Sequence, residues 1–306
     1  MSTTTGTEKK PMSRGRKVLL WGSGVYILIN IVLIVAFGFG HKNNTFQIQN
    51  EFKLVNWVHL GVFSINRAVV YLFISSILTV LTMVWIARRM QQRPNRVQTA
   101  VEAIFSLMRD NITRGNMDDS MARRWFPFLG ALFLFIEFNN LIGYIPLPTN
   151  TEETFNVFGA HIPDFALYAA TANISVPLAL AIVVFILFNW EGVRAQGPIG
   201  YLKSLIPSGV HGPMAVFVGF LEIVSTIMRL LSLTIRLFAN ILAGHMIILF
   251  MAGGLAVILG LSFLGWFTLP VGIAVYIFEL GLVATLQAFI FATLTAIYLG
   301  GAVTHH

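Results

Sequence analysis

The sequence contains no cysteine. Disulfides, thiol chemistry and cysteine-based metal sites are therefore excluded. Charge is nearly as scarce: 11% of the 306 residues are charged and 56% are hydrophobic, where a soluble domain carries roughly 25% charged residues. Acid is scarcest, with 13 Asp and Glu against 26 Phe, so most of the chain never meets water. No glycine-rich phosphate loop of the Walker type occurs, and neither nucleotide binding nor a cofactor is expected.

What is present is a series of apolar runs. A lipid-spanning helix needs about 20 mostly apolar residues, because it rises 1.5 Å per residue against about 30 Å of hydrocarbon. Six stretches meet or approach that length: Val18 to Gly40, Leu60 to Ile86, Trp125 to Ile145, Leu167 to Trp190, Pro213 to Leu259 and Pro270 to Val303. The expected fold class is all-α, a polytopic membrane helical bundle of about six membrane segments. The fifth stretch is too long for one upright span. It must tilt, break near Gly253–Gly254, or both, and with the sixth it forms a long helical hairpin at the C-terminal end.

Between the second and third stretches, Val97, Val101, Ile104, Phe105, Met108 and Ile112 recur at helical spacing. An amphipathic helix follows, either lying at the membrane interface or packed on the bundle's own loops.

The net charge of +7 is clustered. Lys9, Lys10, Arg14, Arg16 and Lys17 precede the first run, and Arg88, Arg89, Arg93, Arg96, Arg109, Arg114, Arg123 and Arg124 follow the second. Basic clusters flanking apolar spans read as cytoplasmic anchoring against lipid, not as nucleic-acid binding. The segment 146–166 carries Glu152, Glu153 and Asp164 without Lys or Arg and is expected outside. Both termini then lie inside. Residues 1–17 read as a polar, disordered tail, 18–51 as an extra membrane span with an external loop, and 52–306 as the main membrane domain. Residues 1–40 also have the outline of a signal peptide, and the sequence leaves retention or cleavage open.

An ionisable residue within a span costs roughly 2.5–3.5 kcal/mol on insertion scales and marks a pathway by default. Arg67, Glu137, Glu222, Arg229, Arg236, His245 and Glu279 are such residues. Arg67, seven residues into the second stretch, reads as an anchor that reaches the surface. Glu137 either lines an aqueous cavity or pairs with Arg67 or Arg229. Glu222, Ser225, Arg229, Ser232, Arg236 and Asn240 recur every three or four residues and form one polar stripe. Glu222 and Arg229, seven apart, are expected to be too distant for a direct pair.

Arg236 differs from the others. No acid lies within four positions on either side, and a guanidinium keeps its proton under any physiological condition. Its counter-charge must come from another helix or another protein. His245 lies nine residues on, about half a turn away from the Arg236 face. It reads as a core histidine bonded across helices or as a proton relay. Glu279 is placed to share a proton with it between the last two helices, and Gln287 reads as interhelical glue.

LSLTIRLFANILAGH and ELGLVATLQAFIFATLTAIYL, with FNNLIGYIP, ATANISVPLAL and FLEIVSTIMRLLSL upstream, resemble one family: subunit a of the F-type ATP synthase. The resemblance covers about residues 52 to 304. It implies that Arg236 is the essential arginine facing a rotating ring of c subunits, with Asn240 one turn beyond. Glu222 and Ser225 match positions toward the cytoplasmic half-channel. Asn140 and Asn173 match positions toward the external half-channel, with His245 and Gln287 near the external proton intake.

Three departures stand out. His245 and Glu279 exchange the acid and imidazole of some members, and Glu279 lies eight residues before Gln287 where seven is expected. A local helix irregularity or a different role for Glu279 explains that spacing. Gly143 also stands where some members place Asp. The implied protein is a non-enzymatic, multi-pass subunit of a bacterial plasma or inner membrane, or of an organelle inner membrane. It translocates H⁺ beside c subunits, peripheral-stalk b subunits and the rest of the synthase, and the sequence leaves Na⁺ open because the c-ring binds the ion. A stand-alone transporter or channel is the alternative, which predicts inverted repeats; none is visible.

Overall fold

The computed structural model describes residues 20–28, 31–32, 56–60, 63–89, 96–145, 154–157, 160–163, 169–204, 212–251 and 262–303. Among these, five helical stretches are long and apolar enough to cross a membrane: Ala68–Arg88, Asp119–Gly143, Ser175–Gln196, Pro213–Leu249 and Thr268–Val303. The all-α polytopic bundle expected from the sequence is thus observed. Most of the first expected span, and Gly253–Gly254, lie outside the described residues, although 20–28 and 31–32 are helical.

The chain divides into two compact units. One comprises Met1–Gln47 and Ile248–Ala274, and its described part is helical, π-helical at 250–251. The other comprises Ile48–Ile247 and Val275–His306 and carries every residue discussed below.

Two short antiparallel hairpins join the helices: β1 (Asn56–Leu60) with β2 (Phe63–Asn66), and β3 (Thr154–Val157) with β4 (Ala160–Pro163). The first corrects an expected boundary. Helix α1 (Arg67–Arg89) starts at Arg67 rather than at Leu60, so Arg67 opens the helix instead of standing seven residues inside it. The cause is Asn66, whose Oδ1 accepts the Val69 N–H at 3.1 Å and caps the first turn.

The amphipathic segment is helix α2 (Arg96–Ser106), which continues as a π-helical stretch, Leu107–Thr113. Met108 and Ile112 are buried in it while Arg109 and Asp110 face outward. Phe105 meets Phe126 edge-on at 4.8 Å, and the Asn116 carbonyl lies against Gly300, where a Cβ has no room. The far half of this segment therefore packs on its own bundle.

The core is built by α3 (Asp119–Gly143), α4 (Ser175–Gln196) and α8 (Ala284–Val303), with α1 against α3. Lipid removes the hydrophobic drive between helices, so close approach of small side chains must supply packing. Helix α8 meets that need with buried Ala284, Ala288, Ala292 and Ala296, spaced by four. Leu129, Phe133 and Ile136 of α3, and Phe291 of α8, are also buried. A short helix, α5 (Pro198–Ser204), follows α4 after Gly197, whose φ of 74° suits a residue without Cβ.

One ion pair stitches helix ends together. Arg124 near the start of α3 contacts Glu191 near the end of α4, and Glu191 is 6% exposed. Arg124→Ala strands that carboxylate in a nearly dry site. The expected loss is on the order of 3 kcal/mol. Glu191→Ala costs less, because the half-exposed Arg124 can hydrate. Subunit retention in detergent-solubilised complex during a thermal ramp checks the order; equal loss in both variants contradicts it.

Helix α6 (Pro213–Leu249) has 37 residues and is therefore about 56 Å long. That exceeds the hydrocarbon thickness, so it cannot stand upright within it. Thr226, Leu233, Thr234, Leu237, Ile241 and Gly244 are its buried positions. Only 6% of its most apolar window is buried within the chain. Helix α7 (Ser262–Phe278) passes through a π-helical turn, Glu279–Val283, into α8.

Candidate functional site

The buried and polar stripes of α6 divide the expected site residues into two groups. Leu233, Leu237, Ile241 and Gly244 are buried against the chain. Ser232 and Asn240 are exposed, as is Arg229, and Arg236 is partly so. Arg236 Nη2 donates to Ser232 Oγ at 3.4 Å, one turn back. No carboxylate among the described residues forms an ion pair with it. A guanidinium offers five donors, so most of its bonding capacity points away from the chain's own acids.

Farther toward the Pro213 end, Arg229 Nη2 and Glu222 Oε1 are 3.0 Å apart. This overturns the expectation that seven residues is too far. Seven residues bring two side chains back within about 20° of one face, and two long side chains bridge the roughly 10 Å of rise. Arg229 lies 6.0 Å from the Tyr298 ring centroid. Nearby, the Tyr201 hydroxyl donates to Asn189 Oδ1 at 2.8 Å, and burial pushes the Tyr201 phenol above its ordinary pKa. Ser225 is partly buried on the same helix.

The second group converges where α3, α6 and the π turn meet. Glu279 is 8% exposed and accepts the Tyr144 hydroxyl at 3.1 Å through Oε2. Tyr144 stacks on His245, with centroids 4.4 Å apart and planes inclined by 26°. His245 Nδ1 lies 2.8 Å from the Ile241 carbonyl and Nε2 3.0 Å from the Gly143 carbonyl. A neutral imidazole donates to one carbonyl only, whereas imidazolium donates to both. The expected direct bond between His245 and Glu279 is not found among the described residues; Tyr144 stands between them. Gly244 makes this possible, since a Cβ there would collide with the Glu279 carboxylate and sit 2.8 Å from the Tyr144 hydroxyl.

Gly143 is explained the same way. A Cβ at this position would run into Ala169, so an aspartate does not fit here. The next layer holds Asn140, fully buried, whose Nδ2 donates to the Ala284 carbonyl at 3.1 Å while its Oδ1 accepts Thr171 at 2.8 Å. Glu137, one turn before Asn140 on α3, accepts Thr285 at 2.9 Å through Oε1, and its Oε2 is buried without a partner among the described residues. The expected pairing of Glu137 with Arg229 is not found, since Arg229 is engaged by Glu222; the pairing with Arg67 falls on a side chain outside the described part. Asn173 does not join the cluster; its Oδ1 accepts the Ser175 N–H at 3.0 Å at the start of α4.

The π turn also resolves the eight-residue spacing. In a regular helix, positions eight apart differ by about 80°. A π turn accommodates one extra residue, and Glu279 and Gln287 are both buried, 8% and 5% exposed. Tyr144, Thr171, Gly244 and Thr285 were not singled out from sequence. Tyr144 and Thr171 sit within the quoted FNNLIGYIP and ATANISVPLAL motifs, but nothing in one sequence shows that Thr171 meets Asn140 across 31 residues or Tyr144 meets Glu279 across 135.

The family model described as ATP synthase A chain matches residues 69–300. The chain belongs to this family. Its ATP synthase subunit a relatives include that of Rubrobacter xylanophilus, 33% identical over 84% of this chain and 91% of the relative. That of Maricaulis maris is 36% identical over 73% and 84%, and that of Bradyrhizobium diazoefficiens 32% identical over 84% and 95%. The chain is thus a membrane-embedded, proton-channel subunit of the F-type ATP synthase, a component of the complex rather than its catalytic part. The stand-alone transporter is not favoured.

Proposed function

We propose that this subunit offers two offset aqueous half-channels to a ring of c subunits and couples proton passage to ring rotation. A proton enters from outside past Asn140, Asn173, His245, Glu279 and Gln287. It neutralises a carboxylate on a c subunit, which then rotates into lipid. After nearly a full turn the site meets the cytoplasmic half-channel at Glu222 and Ser225 and releases its proton. Arg236, with Asn240 beside it, stands between the half-channels. Its fixed charge favours the ionised rotor carboxylate and repels protons that would otherwise leak across.

The observation carrying this reading is the position of Arg236: a permanent cation on the uncovered face of α6, with no ion-pair partner among the described residues. A carboxylate on a neighbouring subunit meets that need. The membrane potential supplies roughly 2.3 kcal/mol per charge per 100 mV. Residues 52–306 form the channel domain, 18–51 an additional span and external loop, and 1–17 a cytoplasmic tail. The b subunits hold the assembly against the rotor, nucleotide binds elsewhere in the complex, and the setting is a bacterial inner membrane.

Reconstituted vesicles test the reading. With the c-ring present, an imposed ΔpH drives ATP synthesis without Na⁺. Synthesis that requires Na⁺ contradicts proton coupling, and synthesis independent of this subunit contradicts the whole assignment.

A further inference from the structure

We propose that Tyr144 is a positioning residue of the proton path, joining His245 and Glu279 into one unit. The inference rests on the reading of those two residues as the external intake. They make no bond with each other among the described residues, yet Tyr144 touches both, one through its hydroxyl and one through its ring. Several features hold it in place. It is 3% exposed. The Tyr276 hydroxyl donates to its carbonyl at 2.5 Å, fixing the backbone from the helix that leads into Glu279. The adjoining Gly143 carbonyl faces His245 Nε2 at 3.0 Å. Gly244 leaves the gap through which hydroxyl and carboxylate meet.

A surface-belt tyrosine puts its hydroxyl in water; this one spends it on a carboxylate. The bond orients the Glu279 carboxyl group within its buried site. The stacked ring limits the imidazole to one plane, so that both nitrogens stay on their carbonyls. The Tyr144 hydroxyl and the Glu279 carboxyl group share the space left by the absence of a side chain at Gly244. The groups against the Glu279 carboxyl are Tyr144, just past the end of α3, and Gly244 from α6.

Tyr144→Phe keeps the ring and removes the hydroxyl; Tyr144→Leu removes both. In the intact synthase, Phe lowers proton flux about tenfold, the order expected for losing one buried hydrogen bond, and Leu lowers it further. Infrared difference spectra supply a readout that packing alone does not move. The Glu279 carboxyl band, identified by its loss in Glu279→Gln, shifts in Tyr144→Phe. Wild-type flux in Tyr144→Phe overturns the proposal, and so does reduced flux with an unmoved band. Unaltered flux in Glu279→Gln sinks the intake reading itself, whatever Tyr144→Phe does.

Discussion

Arg236→Ala abolishes ATP-driven proton pumping while the subunit still assembles. The side chain makes one weak contact to Ser232 within its own helix and no ion pair among the described residues, so little internal packing is lost with it. What is lost is a fixed charge. At 4 Å and an effective dielectric of 20, a guanidinium stabilises a facing carboxylate by about 4 kcal/mol. That is roughly a 10³-fold bias toward the ionised rotor site. Without it, the rotor acid stays protonated at the barrier and protons cross without turning the ring. Arg236→Lys fails too, because a lysine ammonium discharges on desolvation where a guanidinium does not. Acidification of inverted membrane vesicles, followed by dye quenching alongside immunodetection of the assembled subunit, is the measurement. Coupled pumping at wild-type level in either variant removes the assignment.

Glu279→Gln lowers proton conduction through the membrane sector by about 10²-fold or more, the scale of losing a positioned proton-transfer group. Glutamine preserves the shape of the buried side chain and can still accept the Tyr144 hydroxyl, so assembly is retained. Only the ability to take up and release a proton disappears. Because Glu279 and His245 touch through Tyr144 rather than directly, a double-mutant cycle with His245→Ala shows coupling of about 1 kcal/mol. Additive effects in the cycle argue that the two residues act apart.

Much of the architecture is legible in one sequence because a bilayer imposes a simple rule. Buried backbone groups must be satisfied within each segment, so apolar runs of sufficient length become helices. Trp125 to Ile145 illustrates this, overlapping α3 almost throughout; Leu167 to Trp190 overlaps α4 only from Ser175, after a separate 3-10 turn at Ala170–Ala172. The boundary at Leu60 was not legible, because a capping asparagine and a hairpin displaced the helix start by seven residues. The Glu222–Arg229 pair was missed because nearest-neighbour spacing ignores the reach of two long side chains.

The class of protein and the family are legible in the chain alone, since each depends on local composition or a contiguous motif. The chain also showed that no acid neighbours Arg236 within four positions and that Glu279 lies eight residues before Gln287. That Arg236 has no ion pair among the described residues, and that a π turn lies between Glu279 and Gln287, came from the fold. Only the structure set Tyr144 between imidazole and carboxylate. Only the structure paired Asn140 with Thr171 and left Asn173 to its own helix. Those outcomes depend on which segments touch across distances of 31 to 135 residues. Helical periodicity assigns each residue to a face, but it carries no information about what that face meets.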